Sequence, residues 1–229
     1  GFYESDGLRF VFSIIFIIGG ILTLLPGFTY KGQRKGFYPA ALLMYVGLGQ
    51  LLTAETLIQF FFAWELMTIG SYILIIRGKK SLPHGYSYML FSVGGAYLML
   101  AGFGIAVAGS GSFALDALSN MTELATWASV LIAIGFMTKT ATLGVHIWLP
   151  GAHAEAESDV SPMVSAILLK AGVFGLVLLL IGMGGESAEG HPLMYVLGWL
   201  GAITALVGNL CAVFQEDAKR LLAYSSIGQ

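Results

Sequence analysis

Residues 139–170 read KTATLGVHIWLPGAHAEAESDVSPMVSAILLK and contain two lysines, each within an apolar segment. A connection rich in histidine and carboxylate side chains separates the two segments. Holding a charged side chain at the centre of a bilayer costs about 2.5–3.5 kcal/mol on insertion scales, so such residues usually serve a function. The chain does this at Lys139 and Lys170, and Glu65 adds a third charge in another apolar segment. We therefore expect the rest of the chain to be a scaffold around these charges.

The composition indicates an integral membrane protein. Of its 229 residues, 57% are hydrophobic and 10% are charged, and the mean hydropathy is +0.82. Soluble domains carry about 25% charged residues. The net charge of -2 comes from sparse charges of both signs, so no nucleic-acid partner is expected. The single cysteine, Cys211, excludes an internal disulfide and a cysteine-based metal site.

Seven apolar segments have about the length of a spanning helix, which needs about 20 residues. They lie at 8–27, 37–52, 54–76, 85–108, 123–145, 160–183 and 192–214, and residues 216–229 begin a further segment. This pattern predicts an all-α, polytopic transmembrane helical bundle in contact with the lipid bilayer. The chain begins without Met and stops inside a motif at SSIGQ, so we expect a piece of a longer protein.

The basic residues predict the orientation in the membrane. Eight of the eleven lysines and arginines lie in three connections, at 31–35, 77–80 and 219–220, which the segments above place on one side. The connections on the opposite side, 109–122 and 184–191, contain none. Since positive charge marks the cytoplasmic side, we expect a multi-pass protein of a bacterial or archaeal cytoplasmic membrane with its N-terminus outside.

The connection at 146–159 differs from the other inner connections, because it has two histidines and three carboxylates but no lysine or arginine. Pro150 lacks a backbone donor and Gly151 loosens the chain, so we predict that the preceding helix stops there. Freed backbone groups at membrane depth must be buried in protein or line a wet cavity, and discontinuous helices mark ion pathways in transporters. A discontinuous helix is therefore predicted at this point.

Glu65, Lys139 and Lys170 are the main candidates for proton translocation. The two lysines lie deep in their segments, and a buried lysine changes its charge state more readily than an exposed one. Glu65 could pair with one of them, so that a movement or a change of charge at the lysine would switch the carboxylate. The alternative is that the three charges are buried packing partners.

His146 and His153 are weaker candidates. A histidine at a helix break titrates near neutral pH and suits a proton relay, but it could equally cap the break or bond a loop carbonyl. A metal site is not expected, because AHAEAE places His and Glu two residues apart, unlike the i, i+4 pair of zinc proteases. Glu155, Glu157 and Asp159 are predicted to be solvated or to cap a helix. No phosphate loop, haem motif or nucleophile constellation appears, so we expect no cofactor and no catalytic centre in this chain.

Four stretches carry a resemblance to a known family. They are FFFAWELMTIGSYILI (60–75), GFMTKTATLGVHIWLPGAHAEAESDVSPMVSAILLKAGVFGL (135–176), QEDAKRLLAYSSIGQ (215–229) and, more weakly, ESDGLRF (4–10). The chain resembles the antiporter-like subunits of respiratory complex I, membrane-bound hydrogenases and multisubunit cation/proton antiporters, and looks nearest to the complex I M-type and hydrogenase-type members. The resemblance implies two inverted five-helix repeats, each with a broken helix and a central lysine.

By that resemblance, residues 1–36 form a leading transmembrane helix and a basic loop, 37–183 the first complete repeat, and 184–229 the start of a second. In the family a glutamate pairs with a lysine on the broken helix, and the proton then moves to a central lysine. Matched by motif, Glu65, Lys139 and Lys170 would take these roles. ESDVS at 157–161 departs from the Pro-containing run that relatives commonly have there.

The sequence therefore predicts a proton-translocating membrane subunit of a redox-driven complex that is similar to complex I or a membrane-bound hydrogenase. Its partners would be other membrane subunits of that complex, and its relay would be the Glu-Lys-Lys series. One alternative is a subunit of a multisubunit cation/proton antiporter without redox chemistry. Another is a scaffold subunit that pumps nothing. The transported ion could be H⁺ or Na⁺.

Overall fold

The computed structural model describes residues 2–29, 36–115, 117, 125–182 and 192–229. Within these ranges the chain is helical, and the only β-type pairing is an isolated bridge between Thr56 and Ala114. The prediction of an all-α helical bundle is confirmed. The predicted basic connection at 31–35, the connection at 184–191 and residues 116 and 118–122 of the connection at 109–122 lie outside the described residues.

The helices follow the predicted apolar segments closely. They are α1 (Phe2–Thr29), α2 (Phe37–Thr53), α3 (Leu57–Ile75), α4 (Leu82–Ser110), α5 (Ala125–Thr140), α6 (Trp148–Glu155), α7 (Ser161–Met163), α8 (Leu169–Gly182), α9 (Pro192–Val213) and α10 (Ala218–Gly228), and a π-helical segment (Val164–Leu168) joins α7 to α8. Within the described ranges, five helical stretches are long and apolar enough to cross a membrane, and α2 is a shorter apolar helix. The chain is thus a multi-pass membrane protein.

A capping box fixes where α3 begins. Thr56 Oγ1 accepts a hydrogen bond from the Gln59 backbone N–H at 3.2 Å, and Gln59 Oε1 accepts from the Thr56 N–H at 3.3 Å. Gln59 Oε1 also accepts from the Glu55 N–H at 3.0 Å. These bonds satisfy donors that the first turn of a helix leaves unpaired. They set the start of the helix that carries Glu65.

Two glycines let α2 and α3 approach each other closely. A Cβ atom at Gly47 would lie 2.5 Å from the Met67 backbone nitrogen, and one at Gly70 would lie 2.5 Å from the Met44 backbone nitrogen. The contact is reciprocal, and in both cases the obstacle is backbone. Small residues at such positions allow the close packing that associates helices within a membrane.

An aromatic cluster joins α3, α5 and α8. Trp64 and Phe136 have ring centroids 5.3 Å apart, Phe60 and Phe136 are 5.8 Å apart, and Phe60 and Phe174 are 6.5 Å apart. All four side chains are buried. Aromatic pairs at these separations contribute beyond their area burial. The three helices that carry Glu65, Lys139 and Lys170 therefore share one packed core.

The break between α5 and α6 confirms the predicted discontinuous helix but lies earlier than predicted. The helix α5 ends at Thr140, Ala141 and Gly144 have positive φ angles of 55° and 97°, and α6 begins at Trp148. The prediction that the helix stops at Pro150 is wrong, because Pro150 lies in the first turn of α6. Backbone N–H groups there have no partner within the helix, so a proline loses no hydrogen bond.

Candidate functional site

Lys139 occupies the centre of the packed core. It lies in the last turn of α5, and only 1% of its surface is exposed. Its Nζ donates to Thr68 Oγ1 at 2.9 Å, to Tyr88 Oη at 2.9 Å and to Ser92 Oγ at 3.2 Å. An ammonium group has three hydrogens, so these three hydroxyls use its full donor capacity. We call Thr68, Tyr88 and Ser92 the hydroxyl cradle.

Aromatic rings surround the same ammonium group. Lys139 Nζ lies 4.9 Å from the centroid of the Tyr88 ring and 5.5 Å from that of Trp64, within the range of a cation–π interaction. The Tyr88 ring in turn packs against Trp148 at 4.9 Å, and Trp148 Nε1 donates to the Thr138 carbonyl at 2.9 Å. The first residue of α6 thus supports the cradle and ties α6 to the end of α5.

Glu65 lies on the same face of α3 as Thr68, the member of the hydroxyl cradle that this helix carries, because it precedes Thr68 by three residues. Its side chain is partly buried, and its Oε1 is buried without a hydrogen-bond partner. Lys139 interacts with it electrostatically. Lys139 nevertheless donates its three hydrogen bonds to the hydroxyls of the cradle. The structure therefore places the two charges near each other without a hydrogen bond between them.

Lys170 lies on α8 just after the π-helical segment and is half-buried. Its helix packs tightly against α5, since a Cβ atom at Gly172 would lie 2.6 Å from Thr140 Cγ2 and 2.9 Å from the Thr140 backbone nitrogen. Lys139 and Lys170 are therefore on touching helices, each within two residues of this contact. A π-helical turn inside an α-helix is frequent at functional sites.

The two histidines have different surroundings. His146 lies within the break and accepts a hydrogen bond at Nδ1 from the Gly144 N–H at 3.3 Å, and burial lowers the pKa of its imidazole. His153 on α6 is only 2% exposed, and its Nδ1 is buried without a hydrogen-bond partner. Burial and the nearby charge of Lys219 lower the pKa of His153, which favours the neutral ring.

The structure contains one buried charge pair that was not predicted from the sequence. Arg77, just after α3, lies with its Nη1 3.7 Å from Asp159 Oδ2, and both side chains are buried. The guanidinium group also lies over the Phe37 ring, 4.9 Å from its centroid. The prediction that Asp159 is solvated or caps a helix is therefore wrong, since this carboxylate is 4% exposed. Glu155 and Glu157 are partly exposed.

Replacing Asp159 with asparagine is expected to lower stability by about 1–3 kcal/mol, because it removes the negative charge from a buried ion pair. The measurement is the thermal unfolding midpoint of the purified protein in detergent. Glu216 is an exposed carboxylate in the same chain, so Glu216→Gln is the matched control and is expected to leave the midpoint unchanged. Equal midpoints for the two variants would contradict a stabilising Arg77–Asp159 pair.

The family described as NADH:quinone oxidoreductase/Mrp antiporter, transmembrane, matches residues 54–229 of the chain. The chain belongs to this family. One relative is a Na(+)/H(+) antiporter subunit of Alkalihalophilus pseudofirmus, 33% identical over 98% of this chain and 29% of the relative. Another is NAD(P)H-quinone oxidoreductase chain 4 2 of Thermosynechococcus vestitus, 33% identical over 97% of this chain and 43% of the relative.

Solved structures agree with this assignment. A chain of the membrane-bound sulfane sulfur reductase, described as an archaeal respiratory membrane complex, matches with a TM-score of 0.86 and 30% identity, over 96% of this chain and 38% of that chain. The chain spans less than half of the length of each of these three proteins. The resemblance drawn from the sequence motifs is confirmed at the level of the family and the fold.

Proposed function

We propose that the chain is part of a proton-translocating membrane subunit of a larger complex, with Glu65, Lys139 and Lys170 as the proton relay. The observation that supports this most directly is the burial of Lys139 in the hydroxyl cradle. A buried carboxylate partner would favour the charged lysine alone. A hydroxyl both donates and accepts, so the cradle can satisfy an ammonium group and, after its hydroxyls turn, a neutral amine as well.

The carboxylate that exchanges with Lys139 would be Glu65. It has an unpaired buried oxygen and lies one helical turn from a member of the cradle, Thr68. A proton on Lys139 favours a negative Glu65, and a neutral Lys139 removes that attraction. The two groups can therefore change charge in turn, which is what a relay requires.

The next carrier would be Lys170. Its helix touches that of Lys139 near Gly172, and its side chain is half-buried. Lateral transfer between two lysines is compatible with this packing, because the helices that carry them, α5 and α8, contribute to the same aromatic cluster. His146 and His153 stay predictions for this relay, and the bond from Gly144 favours a structural role for His146.

For the driving force, we propose redox chemistry in other subunits of a complex similar to complex I or a membrane-bound hydrogenase. The second candidate is a cation/proton antiporter without redox chemistry, which the 33% identity to a Na(+)/H(+) antiporter protein favours. The identity to the quinone oxidoreductase protein is equal. The subunits that purify with this chain must therefore distinguish the two functions. Purification of the intact complex with mass spectrometry of its subunits tests this, since iron–sulfur or flavin subunits are expected only for the redox-driven complex.

Glu65→Gln and Lys170→Ala are each expected to reduce proton translocation by about tenfold or more, because each removes a group that changes protonation state. The measurement is proton uptake by sealed vesicles that contain the intact complex, with the amount of assembled complex determined by immunoblot. Unchanged translocation in both variants at normal assembly would refute the relay and leave the chain with a scaffold role. A dependence of uptake on Na⁺ would identify the antiporter function.

A further inference from the structure

The segment α9–α10 contacts the discontinuous helix α5–α6 at two places, the break and the end of α6. At the break, the Leu143 backbone N–H donates to Thr204 Oγ1 on α9 at 3.1 Å. At the far end of α6, Lys219 Nζ on α10 donates to the Ala156 carbonyl at 2.7 Å. Both contacts join residues more than 60 positions apart. Neither contact involves Glu65, Lys139 or Lys170.

Lys219 is well placed to stabilise the end of α6. Ala156 is the C-terminal cap of that helix. At this end backbone carbonyls lack partners within the helix, and the helix dipole gives a partial negative charge. A cation that donates to such a carbonyl stabilises the end through both effects. The backbone that carries Lys219 is itself fixed, because Asp217 caps α10 by accepting from the Arg220 N–H at 2.9 Å.

The position of α6 matters for Lys139. The first residue of α6, Trp148, packs on Tyr88 and donates to the Thr138 carbonyl, and Tyr88 accepts directly from Lys139. A shift of α6 would therefore move one hydroxyl of the cradle and the backbone beside Lys139. A contiguous series of packed and hydrogen-bonded groups runs from Lys219 to the relay, which is the kind of network that carries coupling.

We propose that Lys219 is a positioning residue, through which the start of the second repeat holds α6 and thereby keeps the hydroxyl cradle around Lys139. Its effect on transport rests on the proposed function, whereas its effect on α6 does not. The neighbouring Arg220 is exposed, and its side chain forms no hydrogen bond or ion pair with the residues that the structure describes. The two residues thus differ in contact but not in charge, which gives a matched pair for a test.

The test compares Lys219→Met with Arg220→Met in the intact complex. Hydrogen–deuterium exchange in the 141–156 region is expected to be about fivefold faster in Lys219→Met, the factor for one lost hydrogen bond, and unchanged in Arg220→Met. Proton translocation is expected to fall severalfold in Lys219→Met alone. Lys219→Arg keeps a donor and a cation, so it is expected to restore both readings substantially.

Thr204→Val provides a second variant in case Lys219→Met fails to assemble. It removes the acceptor of the Leu143 N–H and is expected to speed exchange at 141–147 without changing any charge. Unchanged exchange in Lys219→Met, or an equal effect of Arg220→Met, would overturn the proposal. If exchange rises as expected while the wild-type complex moves no protons, the positioning role stands and the proposed function fails.

Discussion

Replacing Lys139 with methionine is expected to reduce proton translocation by about a hundredfold or more while the complex still assembles. Groups that exchange protons contribute about 10²–10⁴-fold to the reactions they serve, and Lys139 is the most enclosed of the three charges proposed for the relay. Methionine keeps the length and apolar stem of the side chain, so the aromatic packing around Trp64 and Tyr88 should persist. The measurement is proton uptake by vesicles, normalised to assembled complex.

A second substitution at position 139 distinguishes the effect of the positive charge from the effect of proton exchange. Arginine remains protonated in proteins, so Lys139→Arg supplies a cation and several donors for the hydroxyl cradle but cannot release a proton. A relay therefore predicts loss of translocation in Lys139→Arg as well. If Lys139 is only a packing partner, this variant should translocate normally.

Lys80 provides the control for this experiment. It lies in the basic connection after α3 and is exposed, so Lys80→Met removes one positive charge without touching the core. We expect wild-type translocation from this variant. A loss as large as that of Lys139→Met would mean that the overall positive charge of this membrane side, and not the buried lysine, determines the activity.

The sequence was sufficient to predict the helical segments and the burial of Lys139, because both follow from the cost of placing polar groups in a bilayer. Each apolar segment of about the right length became a helix, and Lys139 is buried as expected. These are local properties of the chain. They depend on which residues follow one another and not on which helices meet.

The hydroxyl cradle could not be predicted in this way. Its members contact Lys139 across 71, 51 and 47 positions of sequence, and a lone serine or threonine in an apolar helix usually bonds its own backbone. One signal was available, since Tyr88 and Ser92 lie four residues apart and Thr68 follows Glu65 by three, which places each pair on one helix face. The interpretation of Asp159 failed for the same reason, because its partner lies on another element.

The predicted position of the helix break was wrong for a different reason. A proline stops a helix only where its missing N–H would have been bonded, and in the first turn that bond does not exist. Pro150 is equally compatible with the end of one helix and the start of the next. The actual break has a left-handed residue at Ala141, a conformation that alanine rarely adopts and that only the surrounding structure can impose.

Substituting Gly70 with alanine is expected to lower stability by about 2 kcal/mol or more. The added Cβ atom would lie 2.5 Å from the Met44 backbone nitrogen and 2.9 Å from the Ala40 carbonyl oxygen, so α2 and α3 would have to separate. Overpacking typically costs about 1–3 kcal/mol, and here a backbone must move. Since α3 carries Glu65 and Thr68, we also expect a severalfold loss of proton translocation.

Gly49 on α2 is the matched control, because a Cβ atom there meets nothing within 4 Å. In a helix, alanine is favoured over glycine by about 1 kcal/mol, so Gly49→Ala should be neutral or stabilising, whereas Gly70→Ala and its reciprocal Gly47→Ala should be destabilising. Thermal unfolding midpoints of the three variants measure this difference in sign. If Gly70→Ala were as stable as Gly49→Ala, α2 and α3 could not be in close contact, and the position of Glu65 would have to be set by the aromatic cluster and the capping box alone.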